Sequence, residues 1–327
     1  LPFTQFHTDV GAPLAREFRR VGLPLTCLED ANNFVPSHRF HSFVVNTAYR
    51  QGIETLGFEV GRAIGANCAD PNNEAMLRGS PTLFHGLWKA GDLTSRTVTN
   101  CRMWLGRPGP GESLCFIHCP SCRDVRNPAV DQIGWYGLMV MLAMVQVFTG
   151  PDWRPAEIGL MMSRPPCRNV REYFPATRIR LNQPFYYLSL ENVFLGMEPT
   201  PLEQDTSNDT TARPEYAASD FVGSVYQIVR SYLCDTHLNV FTAAELCGMS
   251  TRSFQRRLGD VGTSYSEILE RTRFEAASRL LRESDLSVTE ISFRLGYSNL
   301  GTFARAFRKT AGMSPSAYAL SHQALKD

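Results

Sequence analysis

The sequence predicts two domains of different class. Residues 1–197 read as an α+β domain, an antiparallel sheet with helices, and residues 220–327 as an all-α domain built on a repeated helical unit. Three observations carry this. Helix and strand patterns alternate up to residue 197, and every periodic segment after residue 220 is helical. Between them, EPTPLEQDTSNDTTARPE (198–215) holds no aromatic residue and one large aliphatic, Leu202. Such a run buries too little apolar area to offset its ordering entropy, so 198–219 reads as a flexible linker. A length of 327 residues agrees with two domains.

In the first domain, RFHSFVVNTAYRQGIETLGFEVGRAIG reads as two helices split near Gly57. SPTLFHGLWKAGDLT reads as a third, opened by Ser80 with Pro81 in its first turn. TVTNCRMWL and ESLCFIHC are strand-like, and the intervening GRPGPG signals a hairpin. WYGLMVMLAMVQVF (135–148) reads as a buried helix; it is shorter than the roughly 20 residues of a membrane span and carries Gln146. EIGLMMS, TRIRL and FYYLSL complete the sheet.

In the second domain, three capping boxes open helices: Thr242 with Glu245, Ser264 with Glu267, and Ser287 with Glu290. In each, the hydroxyl accepts an N–H three residues on and the Glu reaches back. FTAAELCGMSTRSFQRRLGD and VTEISFRLGYSNLGTFARAFRKT repeat one pattern about 48 residues apart. A short helix ends at Gly248 or Gly296, and Ser250 or Ser298 N-caps the next helix. That helix spaces apolar residues four apart, Phe254 and Leu258 or Phe303 and Phe307, with basic residues between. This is the helix-turn-helix pattern, twice. SYSEILERTRFEAASRLLRES reads as one long helix joining the units, so two recognition helices could enter successive major grooves, roughly 34 Å apart.

EISFRLGYSNLGTFARAFRKTAGMSPSAY resembles, nearly from end to end, the signature of the AraC/XylS family of bacterial transcription regulators. Residues of about 220–320 resemble that family's two-unit DNA-binding domain. FQRRLGDVGTSYSEIL is one residue short of the commonest first-unit pattern and instead resembles a subgroup carrying a GTS turn. The N-terminal part resembles, more weakly, the arabinose-binding-like α/β effector domain of that subgroup. The resemblance implies a cytoplasmic regulator of double-stranded promoter or operator DNA, a homodimer, and a small-molecule effector in the first domain. RNA polymerase would be a further partner of an activator. No cofactor, no membrane and no catalysis are expected.

On the first recognition helix Thr251, Arg252, Gln255 and Arg256 point away from the Phe254/Leu258 face; on the second, Asn299, Thr302, Arg305 and Arg308 point away from Phe303/Phe307. Arg suits bidentate contact with guanine, and Gln or Asn with adenine. Arg257, Lys309 and the N-terminal amides after Ser250 and Ser298 suit phosphates, which position without specifying. Net charge is only +1, so positive charge for nucleic acid must be local.

ESLCFIHCPSC raises a second reading. Cys115, Cys119 and Cys122, with His118 among them and Cys101 on the facing strand, could form a metal or redox sensor. Cys115, Ile117 and Cys119 also alternate along one side of a strand, as small buried residues do. Nine cysteines in a long chain read as reduced thiols in a cytosol. The start has no basic segment followed by an apolar run, unlike a signal peptide. His38 and His41 could line a pocket or pack. G-x-S-x-G, H-E-x-x-H and phosphate-loop motifs are absent from the sequence; GRPGPG lacks the Lys and Ser/Thr a phosphate loop needs.

Overall fold

The computed structural model describes residues 2–11, 13–28, 30, 33–64, 71–98, 101–109, 113–120, 127–200, 216–234 and 238–323. By its internal contacts the chain divides into one unit of Leu1–Glu17 and Ser37–Tyr216 and another of Phe18–Pro36 and Ala217–Asp327. The later boundary falls within the expected linker, of which 201–215 lie outside the described residues. At the earlier boundary, residues 18–36, expected in the N-terminal domain, group by their contacts with the C-terminal segment. Four polar contacts show why. Thr26 Oγ1 donates to the Ser231 carbonyl at 2.8 Å, and the Phe34 N–H to Ser231 Oγ at 2.9 Å. The Tyr232 hydroxyl donates to the Gly22 carbonyl at 2.9 Å, and Arg230 pairs with Asp30 at 3.8 Å. Phe18, Val21 and Leu23 are buried.

The first unit starts with α1 (Pro2–Asp9) and the first half of α2 (Leu14–Val21), then α3 (Ser37–Gln51), α4 (Leu56–Ile64), α5 (Pro71–Arg78) and α6 (Leu83–Thr97). The hairpin β1 (Arg102–Gly106) and β2 (Cys115–Cys119) follows, then α7 (Pro128–Thr149), β3 (Glu157–Gly159), α8 (Arg168–Tyr173), β4 (Arg178–Arg180) and β5 (Tyr186–Ser189). The sheet order is β1-β2-β5-β3-β4, antiparallel except for the parallel β3–β4 pair. Asn127 caps α7 by accepting the Ala129 N–H at 2.9 Å, with Pro128 in the first turn. At 22 residues α7 is longer than its apolar run, and by length and composition alone it could cross a membrane. It is instead the core helix of the unit, burying Leu138, Met141, Leu142 and Val145 in one cluster with Phe116, Ile158, Tyr186 and Leu188 of the sheet. Each such side chain contributes about 1.5–3 kcal/mol.

Two expected helix starts move. The break between α3 and α4 is at Gly52, whose φ of 63° suits glycine, and not at Gly57. Gly57 is buried inside α4, and its N–H donates to Gln132 Oε1 at 2.8 Å. A Cβ there would overlap the Gln132 carbonyl oxygen; one turn on, a Cβ at Gly61 would overlap Met139 Cβ. These two glycines let α4 approach α7 closely. Helix α6 is capped by Thr82, not Ser80, whose hydroxyl donates to the Met76 carbonyl of α5 at 2.8 Å.

The second unit contains α9 (Phe221–Tyr232), α10 (Val240–Leu246), α11 (Thr251–Gly259), α12 (Tyr265–Glu283), α13 (Val288–Arg294), α14 (Leu300–Ala311) and α15 (Pro315–Gln323). Two apolar clusters form around them. One gathers Val225, Val229, Leu246, Phe254, Leu258 and Ile268; the other Ala277, Leu281, Ile291, Leu295, Phe303 and Phe307. Helix α12 supplies residues to both, and Leu269 packs against each. The capping boxes at Ser264/Glu267 and Ser287/Glu290 are both complete. The third is a correction: Asn239 caps α10, its Oδ1 accepting the Phe241 and Thr242 N–H groups at 2.9 and 3.0 Å, and Thr242 lies inside the first turn.

Gly57→Ala is expected to destabilise the chain by about 1–3 kcal/mol, because backbone must shift to admit the methyl. A denaturant titration checks it, and an unchanged midpoint would refute the close α4–α7 contact. The Ser264 N–H and the Thr263 and Ser264 hydroxyls hold the Glu267 carboxyl below the usual glutamate range; the Ser287 hydroxyl and N–H do the same for Glu290. A carboxyl depressed on folding contributes stability above its unfolded value, about 4.3, and loses it as pH falls through the lower folded value. Acid titrations followed by circular dichroism should therefore show a shallower loss for the E267Q/E290Q variant, whose amides keep the bond without titrating. Identical slopes would contradict the capping account.

Candidate nucleic-acid interface

The two helix-turn-helix units share one register, read from their caps. Ser250 Oγ accepts the Ser253 N–H at 3.2 Å and caps α11. In the second unit the cap is Asn299 and not Ser298: Asn299 Oδ1 accepts the Thr302 N–H at 2.8 Å and the Thr302 hydroxyl at 3.0 Å. The second turn is therefore one residue longer. Counted from the cap, Phe254 matches Phe303 and Leu258 matches Phe307, all four buried. Gly248 and Gly296, at φ of 66° and 75°, make the left-handed turns the sequence requires of them.

This register pairs Arg252 with Gly301, Gln255 with Ala304, and Arg256 with Arg305. Arg252, Gln255, Arg256, Arg305, Arg308 and Lys309 are exposed. Residues two before and two after the buried Phe lie across the helix from it, so Arg252 and Arg256 share the outer face of α11, and Arg305 lies on that of α14. Thr251 and Thr302 are half-buried, and Asn299 and Thr302 spend their oxygens on the cap. Arg257 stacks over the Phe221 ring at 4.2 Å, and Lys309 pairs with Glu270 at 3.7 Å. Ser298 is exposed in the second turn.

One contributor escapes sequence reasoning. Arg273 of α12 stacks over Tyr297 at 4.7 Å and donates to the Gly296 carbonyl at 3.5 Å, bracing the second turn. It lies 23 residues from its acceptor, so no local pattern marks it.

Cys115 and Cys119, both buried, belong to the first unit's packing. Strand β2 is buried on both faces. Cys115 clusters with Ile117 and Tyr187 under Trp104 and Phe185. His118 points to the other face, where a Cβ on Gly137 would overlap its ring. Cys101 Sγ lies 3.3 Å from His118 Nε2. Burial pushes the Cys101 thiol up to about 12 and the His118 imidazole down to about 4, so both are held neutral. A redox-active thiol reacts as the thiolate, the form that this burial disfavours. Cys122 lies outside the described residues. Among the described residues no three His, Cys, Asp or Glu side chains are placed to hold a metal ion. His38 and His41 lie on α3, where His41 is buried and lowered by that burial. An open groove of about 370 Å³, lined by Arg107, Ser113, Leu114, Ser189 and Glu191, has the size of a small-molecule site.

Two domain models and several known proteins match the chain. Residues 243–321 match a helix-turn-helix domain model, and residues 11–198, more than half of the chain, match the arabinose-binding N-terminal domain of AraC transcription regulators. The HTH-type transcriptional regulator VirS of Mycobacterium tuberculosis is 31% identical over 330 residues, covering 97% of this chain and 93% of that protein. A further HTH-type regulator of the same organism is 41% identical over 70 residues; there the match spans 21% of this chain and 20% of the relative. Among solved structures, the DNA-binding domain of AdpA in complex with a target DNA shares 33% identity over 32% of this chain and 96% of that one, with a TM-score of 0.30. CdpR of Pseudomonas aeruginosa covers 98% of this chain and 96% of its own at 16% identity, with a TM-score of 0.35. The full-length likeness to VirS and the N-terminal domain match together establish that the chain belongs to the AraC family of transcription regulators, an arabinose-binding-like domain followed by a DNA-binding helix-turn-helix domain.

Proposed function

We propose that this regulator acts in the cytoplasm as a homodimer on promoter or operator DNA, reading sequence through α11 and α14 under control of a small molecule bound by the first unit. The observation that carries this is the pair of capped helices with exposed arginine faces, Arg252/Arg256 and Arg305, joined by the single helix α12. One rigid connector suits two insertions on one side of a duplex, and dimerisation doubles the site. Arg256 and Arg305 occupy matched positions for guanine. Arg308 and Lys309, at the C-terminal end of α14, suit phosphates. An effector regulates only by binding DNA-competent and incompetent states with different affinity. If the outcome is activation, RNA polymerase is the further partner.

DNA selection from a random pool by the full chain, at near-physiological salt, tests the reading. Enrichment of a site with two blocks about one helical turn apart is expected, with affinity that weakens steeply as salt rises. On that site Arg305→Ala should cost about 1–3 kcal/mol and relax discrimination at one position. Unchanged binding in a gel-shift titration would remove Arg305 from the interface.

A further inference from the structure

We infer that the two units divide the labour of recognition: the first reads bases, and the second chiefly grips the backbone while reading through one arginine. This rests on the DNA-binding reading above and deepens it. The register set by the caps carries it. At the two outward positions where α11 presents Arg252 and Gln255, α14 presents Gly301 and Ala304, neither able to reach a base edge with a hydrogen bond. At the tip of α14, Asn299 Oδ1 takes both the N–H and the hydroxyl of Thr302, and the Asn299 amide nitrogen lies 3.4 Å from the Ser298 hydroxyl. Arg305 is left as the side chain of α14 equivalent to a base-reading one of α11, namely Arg256.

Both helices carry two basic residues in their last turn, Arg256 and Arg257 on α11 and Arg308 and Lys309 on α14, but α14 is three residues longer, so its pair lies further from the cap. Where α14 carries Arg308 and Lys309, the matched positions of the first unit are Gly259 and Asp260. Recognition helices meet base edges with their N-terminal turns, so charge at the C-terminal turn falls to phosphates. The first unit therefore has hydrogen-bonding groups at the tip that the second lacks, and the second carries its two last-turn cations beyond the point that α11 reaches. The Lys309–Glu270 pair does not oppose this: both partners are mostly exposed, and such pairs hold weakly. Nor does the fold demand glycine at 301. The position is not left-handed, and a Cβ there would meet nothing closer than Asn299 Oδ1 at 3.4 Å. The bare tip is thus free to change.

The test uses the full chain and the duplex it selects from a random pool. The block relaxed by Arg252→Ala should carry more fixed base pairs than the block relaxed by Arg305→Ala. Arg252→Ala and Gln255→Ala should each lower discrimination about 5- to 150-fold at their own positions. The R308A/K309A variant should weaken cognate and scrambled duplexes in the same ratio, and lower the slope of log affinity against log salt by about 2. The transplant G301R/A304Q should add fixed bases to the second block. Two equally constrained blocks, or a changed base preference in R308A/K309A, would overturn the division alone. Failure of the wild-type chain to enrich any duplex would overturn the DNA reading and the division with it.

Discussion

One helix belongs to two cores, and the DNA-binding unit depends on that. Helix α12 places Ile268 in the cluster around Phe254 and places Ala277 and Leu281 in the cluster around Phe303. Its 19 residues span about 28 Å. Neither half can turn against the other without opening a packed cluster, and packed clusters resist small deformations. Geometry between two recognition helices is therefore fixed by apolar burial and not by their own contacts. The capping boxes contribute at the joints: Ser264 with Glu267 starts α12, and Ser287 with Glu290 starts the helix after it. Arg273, reaching from α12 to the Gly296 turn, ties the second turn to the same shaft.

In the first unit the comparable constraint is closeness of backbones. Gly57 and Gly61 bring α4 against α7, and α7 in turn backs the sheet. The buried thiols and imidazole of this region follow from that density. A site that excludes water disfavours charge, which keeps Cys101 as a thiol and His118 as a neutral ring. Cys115 and Cys119 thus take their character from burial in the sheet.

Legibility in the sequence tracks the range of the forces involved. The glycine turns at 248 and 296, two of three capping boxes and the buried Phe254 and Phe303 are local patterns, and they are where the sequence places them. The failures are of two kinds. Where two capping residues compete within a few positions, the chosen one depends on where the helix packs: Asn239 wins over Thr242, Asn299 over Ser298, and Thr82 over Ser80. Where a residue acts across the chain, nothing nearby announces it. Gly57 looks like a helix breaker until its neighbour Gln132 is known, and nothing near Thr26 or Gly22 announces their bonds to Ser231 and Tyr232.

That last feature bears on how the protein is made. Thr26 and Ser231 are 205 residues apart, yet they close one unit. Domains emerging from a ribosome tend to fold in order of synthesis. Here residues 18–36 are made early, and the partners of Gly22, Thr26 and Phe34 are made about 200 residues later. The second unit then closes over a contact of very long range, the kind that slows folding. A nascent chain of this design completes its DNA-binding unit last, after the first unit has had time to form.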